Sequence, residues 1–135
     1  MLFRSLDIRT RSRCEFIDVT EDVGRVVRES GVPEGLCVCF VPHTTAGVTI
    51  NENADPSVRA DVQSVLAKLA PAGADYSHDE GNSDSHVKAS LMGSSVVVTI
   101  REGSLVLGTW QGVYFCEFDG PRSRQFHVTI MGNPV

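Results

Sequence analysis

The sequence predicts an α+β fold: a single compact domain with a mainly antiparallel β-sheet or sandwich and two to three helices. Three observations lead to this prediction. Short apolar runs bounded by turn residues, which are typical of strands, occupy both ends of the chain. A few segments with apolar residues at helical spacing interrupt these strands without alternating regularly with them. With 135 residues, of which 41% are hydrophobic and 21% charged, the chain is long enough to bury one core.

The first half of the chain predicts four strands and two helices. Thr20 is expected to cap the first helix, and Gly31 is expected to end it. Leu36–Val41 is apolar without alternation, which suits a strand buried on both faces. Asp55 followed by Pro56 is typical of a helix start. The predicted strands are Met1–Arg13, Cys14–Thr20, Leu36–Val41 and Ala46–Ile50, and the predicted helices are Thr20 to about Ser30 and Pro56–Ala70.

The second half begins with a long polar segment, Ala72–Asp84. Loops of this length inside a compact domain are usually functional or disordered. A short helix, Ser85–Met92, is expected to follow and to stop at Gly93. Turn residues then separate four closing strands. These strands are predicted at Val96–Ile100, Ser104–Leu107, Thr109–Phe118 and Gln125–Met131.

Charge and composition argue against several classes of function. A net charge of −5 disfavours general nucleic-acid binding, which needs a basic face. No apolar run approaches the roughly 20 residues of a membrane span, so no membrane partner is expected. The four cysteines lie in apolar strand-like contexts and are expected to be reduced core residues. Since the first residues contain no secretory apolar region, a cytoplasmic location is expected.

Residues 41–56, V-P-H-T-T-A-G-V-T-I-N-E-N-A-D-P, crowd polar side chains around a short apolar strand. His43 lies at the end of a buried strand, where the sheet would fix its side chain facing a cleft, and a neutral imidazole there can ligate a metal ion. If the next strand pairs with Leu36–Val41, the short connection brings some of its polar residues near His43. For Asp55, a helix cap is an alternative role. The candidates for catalytic groups are Asn51, Glu52, Asn53 and Asp55.

A second polar stretch, S-H-D-E-G-N-S-D-S-H at residues 77–86, contributes two more histidines. His78 lies in the long polar segment and His86 at the start of the short helix. Together with His43 they are candidates for an open site for a divalent metal, zinc or magnesium, because three protein ligands leave one position for water or substrate. The spacing fits no short metal motif, so this prediction rests on clustering. Each of these residues taken alone also fits a polar loop.

Two polar motifs follow in the C-terminal half, G-T-W-Q-G at residues 108–112 and D-G-P-R-S-R at residues 119–124. The first presents a hydroxyl and an amide on one face of a strand. The second carries forked guanidinium donors that suit a phosphate or a carboxylate, and a salt-bridged turn is the alternative. The candidates for substrate binding are Thr109, Gln111, Arg122 and Arg124.

In order along residues 43–124, these motifs resemble those of the YjbQ family of small proteins, also described as secondary thiamine-phosphate synthases. The matching motifs are H-T-T-A-G-V-T-I-N-E-N-A-D-P, H-D-E-G-N with S-H-V-K-A-S-L-M-G, G-T-W-Q-G-V and D-G-P-R-S-R. The resemblance implies a compact α+β trimer with a metal site at His43, His78 and His86. It implies that further polar residues surround this site: Asn51, Asn53, Asp55, Thr109, Gln111 and Arg122. Asp84 stands where many relatives have another histidine, and a carboxylate can still bind a metal.

The resemblance also implies a reaction, in which a hydroxymethylpyrimidine diphosphate joins a thiazole phosphate and releases pyrophosphate to give thiamine phosphate. A divalent ion would neutralise the diphosphate leaving group, while Arg122, Arg124 and Lys88 would hold the phosphates of these small molecules. Two alternatives remain open: a metal-dependent phosphoester or diphosphate hydrolase, and a non-enzymatic trimer that binds a metal or metabolite. In a trimer, Trp110 and the strand Val113–Phe118 are expected to line the intersubunit surface.

Overall fold

The computed structural model describes residues 1–135 and confirms the predicted α+β class. No helix in it is both long and apolar enough to cross a membrane. The helices are α1 (Thr20–Ser30), α2 (Pro56–Leu69) and α3 (Ser83–Met92). The strands are β1 (Leu2–Arg9), β2 (Glu15–Asp18), β3 (Gly35–Phe40), β4 (Ala46–Glu52), β5 (Ser95–Arg101), β6 (Ser104–Leu105), β7 (Gln111–Glu117) and β8 (Ser123–Met131).

The strands form two sheets in which every pairing is antiparallel. One sheet has five strands in the order β1-β8-β3-β5-β6, and the other has three in the order β2-β7-β4. The two sheets pack face to face around one apolar core, in which Phe115 of β7 meets Phe126 of β8 with ring centroids 6.0 Å apart. Helix α1 closes this core with the valines that its helical spacing places on one side: Val23, Val26 and Val27.

A second, smaller core covers the opposite face of the three-stranded sheet. Leu66 of α2 and Ala89 of α3 pack there against aromatic side chains that include Phe16 and Tyr114. Strand β7 is therefore buried on both faces, and every residue from Gly112 to Phe118 is inaccessible. The prediction that Val113–Phe118 lines an intersubunit surface was wrong, because the chain's own helices cover this strand.

The cysteines and Trp110 illustrate how well local patterns predict burial. Cys37, Cys39 and Cys116 are buried and Cys14 is half-buried, so the predicted core location is confirmed for three of the four cysteines. Trp110 is 62% exposed, so it does not belong to the core. It lies in the turn before β7, because β7 begins at Gln111 rather than at Thr109.

Several element boundaries differ from the prediction, and at two of them a side chain forms a hydrogen bond that the local pattern did not indicate. Thr20 does not cap α1: Val19 holds the cap position, and the carboxylate of Asp18 accepts hydrogen bonds from the Thr20 backbone N–H at 2.9 Å and hydroxyl at 2.6 Å. Strand β1 ends at Arg9, four residues early, since the Thr10 hydroxyl turns inward to Glu117 at 2.7 Å. Other changes include an earlier start of α3, at Ser83 instead of Ser85, and the shortening of Ser104–Leu107 to Ser104–Leu105.

The five-stranded sheet leaves its outer face uncovered. Strand register places several large apolar side chains side by side on this face, each between 43% and 58% exposed. His127 of β8 lies among them, with its ring centroid 5.0 Å from that of Phe3 and 6.3 Å from that of Phe40. The residues of this open sheet face are Phe3, Leu36, Phe40, Val97 and Met131.

Candidate functional site

One polar cleft of about 680 Å³ opens at the end of the sheets where β3 gives way to β4. Three chain segments meet there: the β3–β4 connection, the segment that leads into α3, and the turn between β7 and β8. Only two of its fourteen lining residues are hydrophobic, which suits a polar ligand. The lining residues are Phe40, Val41, Pro42, His43, Thr44, Thr45, His78, Glu80, Asn82, His86, Ser94, Asp119, Arg122 and Arg124.

His43 is held at the cleft by the neighbouring strand. The backbone N–H of Gln125 donates a hydrogen bond to its Nε2 at 2.9 Å. Burial lowers the pKa of His43, and the positive charge of Arg124 lowers it further, so the ring is neutral at pH 7. Because Nε2 accepts the bond from Gln125, the neutral ring carries its proton on Nδ1. In this state His43 offers a ligand an N–H donor, and it would have to exchange the Gln125 bond to coordinate a metal through Nε2.

His78 and His86 approach each other across the cleft. Their rings are edge to face, with centroids 5.4 Å apart. Two imidazoles bound to one tetrahedral zinc have centroids about 5 Å apart when each Zn–N bond is about 2.0–2.1 Å, a separation similar to that of this pair. No group of three or more His, Cys, Asp or Glu side chains is gathered closely enough to hold a metal ion. The three histidines therefore share a cleft, but only two of them are paired.

Arg122 lines the cleft with a guanidinium that is partly bound to Asp119 and partly exposed. Its Nε donates to the backbone oxygen of Asp119 at 2.8 Å, and one terminal nitrogen donates to the Asp119 carboxylate at 2.9 Å. The side chain is still 51% exposed. Burial alone would raise the pKa of Asp119, but hydrogen bonds from Asn82 and Arg122 outweigh it and hold the pKa below its ordinary value. An ionised Asp119 thus orients Arg122 while its remaining N–H groups stay available to an anion.

Arg124 and Lys88 are internal counterions instead of free cations. Arg124 is 6% exposed and donates to both oxygens of the buried Glu117 and, at 2.8 Å, to the hydroxyl of Thr45. Lys88 does not line the cleft, and its ammonium donates to Asp84 at 3.0 Å inside the protein. The salt-bridged alternative therefore describes both arginines, Arg124 through Glu117 and Arg122 through Asp119 in the turn itself, although Arg122 stays half exposed. The position of Lys88 disagrees with its predicted phosphate-binding role.

Asp84 is turned away from the cleft. Its carboxylate is fully buried and accepts hydrogen bonds from both Lys88 and Arg13, each at 3.0 Å. Burial opposes ionisation, but these two cations prevail and lower the pKa of Asp84. The expectation that Asp84 could replace a metal-binding histidine is contradicted by this position.

The polar residues expected around the histidines lie elsewhere in the chain. Strand β4 starts beside the cleft at Ala46 and ends at Glu52, about 20 Å away at the rise of an extended strand. Glu52 pairs there with Gln111 of β7, so the residues after β4 and before β7 share this distant end. Within one chain, this separates six of the expected residues from the cleft: Asn51, Glu52, Asn53, Asp55, Thr109 and Gln111.

Local hydrogen bonds explain several of these distant side chains. The Asp55 carboxylate caps α2 by accepting the Ser57 N–H at 2.9 Å, as its alternative role predicted. Glu52 accepts the Ala54 N–H at 3.0 Å, and Gln111 accepts the Gly108 N–H at 2.7 Å. These contacts stabilise turns and a helix start, and none of them reaches the cleft.

Asp119 and Asn82 are among the cleft residues that were not chosen as candidates from the sequence. Asp119 and Asn82 link the β7–β8 turn to the start of α3, since the Asn82 amide donates to Asp119 at 2.9 Å. Both are typical turn residues, and their pairing across 37 positions leaves no local signal. The one indication in the sequence that they belong to the site was their position within the polar motifs at residues 77–86 and 119–124.

Comparison with known proteins places the whole chain in one family. The model of the family described as UPF0047 protein YjbQ-like matches residues 4–133. The chain is 50% identical to UPF0047 protein MJ1081 of Methanocaldococcus jannaschii, over 98% of this chain and 96% of that protein. It is 45% identical to UPF0047 protein YugU of Bacillus subtilis, over 97% of this chain and 100% of that protein.

Solved structures agree with this placement. A crystal structure of an uncharacterized conserved YjbQ/UPF0047 family protein from Clostridium acetobutylicum is 54% identical with a TM-score of 0.93, over 95% of this chain and 99% of that one. A YbjQ-like protein of unknown function from Sulfolobus solfataricus is 32% identical with a TM-score of 0.94, over 98% of this chain and 97% of that one. The chain therefore belongs to the YjbQ (UPF0047) family.

Proposed function

We propose that this protein is a metal-dependent enzyme of phosphate or diphosphate chemistry, acting in the cytoplasm on a small phosphorylated molecule. The observation that carries the proposal is the pairing of two histidines with a half-free arginine in one polar cleft. Imidazoles are ligands for a divalent ion, and a guanidinium is a forked donor for phosphate oxygens. The four free thiols agree with a reducing compartment.

Each group has a separate role in this proposal. His78 and His86 would hold the divalent ion, which would supply neutralisation of charge on a departing phosphate oxygen. Arg122, oriented by Asp119, binds the anionic end of the substrate. His43 donates its Nδ1–H to a phosphate oxygen from the wall of the cleft.

Resemblance to the YjbQ family favours one reaction within this class, the joining of hydroxymethylpyrimidine diphosphate to thiazole phosphate. Purified protein should then release pyrophosphate with Mg²⁺ or Zn²⁺ only when both substrates are present. Release of phosphate or pyrophosphate from the diphosphate alone would instead indicate a hydrolase. Binding without turnover of either substrate would indicate a non-enzymatic metal- and metabolite-binding protein.

Replacing Arg122 by glutamine is expected to weaken binding of inorganic pyrophosphate roughly ten- to a hundredfold. The reason is the loss of hydrogen bonds to a charged group, each of which contributes about 1.5–3 kcal/mol. Isothermal titration of the purified variant would measure this change. Arg101→Gln, which alters an exposed arginine at the end of β5, is the matched control and should bind like the wild type. Unchanged affinity in Arg122→Gln would contradict the anion-binding role.

Replacing His78 or His86 by alanine is expected to reduce the divalent metal that copurifies with the protein to a small fraction of the wild-type content. His43→Ala should retain most of the metal, because Nε2 of His43 is engaged by Gln125. Metal content is measured by inductively coupled plasma mass spectrometry after purification without chelator. Equal loss in all three variants would show that His43 exchanges its Gln125 bond and completes a three-histidine site.

We also propose that the protein assembles as a homotrimer through the open sheet face. Contiguous exposed apolar side chains of this kind usually mark an interaction site, and a second copy of the chain would cover them. Light scattering is expected to give about three times the chain mass of 14.6 kDa.

Val97→Glu should shift this mass toward the monomer, because it buries a carboxylate in the proposed contact. Leu69→Glu on α2 is the control at an equally apolar, 68% exposed position in another layer, and it should leave the mass unchanged. A wild-type monomer at micromolar concentration would contradict the trimer. If Leu69→Glu dissociates the protein and Val97→Glu does not, the subunits contact each other through the helices instead of the open sheet face.

A further inference from the structure

Asn82, a residue of the candidate cleft, has a buried side-chain oxygen without a hydrogen-bond partner. The residue lines the cleft directly before α3 and is only 7% exposed. Its Nδ2 donates to Oδ2 of Asp119 at 2.9 Å, but its Oδ1 receives no hydrogen bond. No other buried side-chain nitrogen or oxygen in the chain lacks a partner. Buried polar atoms without partners are rare in folded proteins, so this oxygen requires an explanation.

The orientation of the Asn82 amide is determined by its neighbours. The Asp119 carboxylate accepts hydrogen bonds from Arg122 and Arg13 as well as from Asn82. An ionised carboxylate can only accept hydrogen bonds, so the Asn82 group that faces it must be the donor. Turning the amide over would place Oδ1 against Oδ2 of Asp119, two acceptors facing each other. The unpaired atom is therefore the oxygen, and it points away from Asp119.

The Asn82 side chain also does not cap α3, the helix that follows it. Asparagine before a helix usually accepts a backbone N–H of the first turn, but the Asn82 side chain makes no such capping bond to α3. The bond to Asp119 takes its place and couples Asn82 to Arg122. Nδ2 of Asn82 and a terminal nitrogen of Arg122 both bind Oδ2 of Asp119, so these two nitrogens lie no more than about 6 Å apart.

We infer that Asn82 is a specificity-determining residue, whose Oδ1 accepts a hydrogen bond from an O–H or N–H group of the ligand. This inference rests on the proposed function, in which Arg122 binds the phosphate. Because Asn82 and Arg122 both bind Oδ2 of Asp119, one small ligand would carry both the donor for Asn82 and the phosphate for Arg122. The cleft therefore selects phosphate esters whose organic part carries a hydroxyl or amino group close to the phosphate, over esters with a purely apolar organic part.

Two probes of similar size test this selection: glycerol 3-phosphate, which carries hydroxyls near its phosphate, and n-propyl phosphate, which carries none. Isothermal titration of the wild-type protein is expected to show about tenfold tighter binding of glycerol 3-phosphate, the effect of one hydrogen bond to a buried acceptor. Asn82→Ala should reduce this preference to about one. Asn133→Ala, at an exposed position near the C-terminus, should retain the tenfold preference.

Asn82→Ser, which moves the acceptor oxygen one bond closer to the backbone and keeps a polar residue before α3, provides the same comparison if the alanine variant folds poorly. Equal weakening of both probes in these variants would show that Asn82 acts only by holding Asp119, and it would overturn the inference. The inference also fails if the wild type binds both probes equally, since Oδ1 of Asn82 then forms its hydrogen bond with water and not with the ligand. That result would not contradict the phosphate-binding role of Arg122. Failure of the wild type to bind either probe would overturn both.

Discussion

Replacing Arg124 by leucine is expected to destabilise the folded protein by about 3–5 kcal/mol, one of the two largest effects expected of a single substitution in this chain. The variant leaves the carboxylate of Glu117, which is fully buried, without its counterion. Urea denaturation followed by circular dichroism at pH 7 measures the change in the free energy of unfolding.

The control is another arginine–glutamate pair on the surface of the same protein. Arg28 and Glu21 of α1 are 58% and 84% exposed and 2.8 Å apart, so Arg28→Leu should cost less than about 1 kcal/mol. The double variant Arg124→Leu with Glu117→Leu should be more stable than Arg124→Leu alone, because no charge remains buried. A loss of less than about 1 kcal/mol in Arg124→Leu would show that Glu117 is neutral or rehydrated.

The effect of Arg124→Leu should depend on pH with a definite sign. In the wild type, burial would raise the pKa of Glu117, but hydrogen bonds from Arg124 and Thr10 prevail and lower it below the ordinary value of 4.5. The stabilisation from this pair is therefore present at neutral pH and is lost as the pH falls through the lowered pKa. In the variant, Glu117 can take up a proton and escape the cost of a buried charge, so the difference in stability should shrink in acid.

Replacing Asp84 by asparagine is expected to destabilise the protein by a similar amount, about 3–5 kcal/mol. The substitution keeps the size of the side chain but leaves the ammonium of Lys88, only 6% exposed, without an anion. Lys88→Met should cost less, because Arg13 still offsets the charge of Asp84. Denaturant unfolding of both variants tests this order of stability.

Asp22→Asn on the surface of α1 is the matched control, since its pair with Arg25 is about half exposed on both sides. It should change the free energy of unfolding by less than about 1 kcal/mol. Wild-type stability in Asp84→Asn would indicate that Lys88 is uncharged in the fold. If Asp84→Asn loses bound metal but keeps its stability, Asp84 would be a ligand of the metal site that the family resemblance implies.

The elements of this fold could be predicted because they follow from short-range patterns. The spacing of Val23, Val26 and Val27 defines the buried side of α1, and the two-residue period directs Cys37 and Cys39 into the same core. These patterns depend on backbone geometry, which is the same in every helix and strand. Some boundaries moved where a side chain formed a hydrogen bond that the local pattern did not show, as Asp18 does before α1.

The candidate site was predictable in part. His43, His78, His86 and Arg122 line one cleft, as the clustering of polar motifs suggested. The prediction that residues at and after the end of β4 lie near His43 was wrong, although they are close to it in sequence. Although Glu52 follows His43 by nine positions, the extended strand between them carries Glu52 to the far end of the sheet.

The sequence by itself determined the class of fold, the family and the kinds of side chain available for chemistry. Only the tertiary structure decided which charges are free. Arg122 and Arg124 stand two positions apart in one motif, yet Arg122 is half exposed and Arg124 is neutralised by buried Glu117. Whether a cation can bind a ligand depends on its burial and on the anion beside it. Both arise from contacts between separate elements, such as the one that joins Lys88 and Asp84 of α3 to Arg13 before β2.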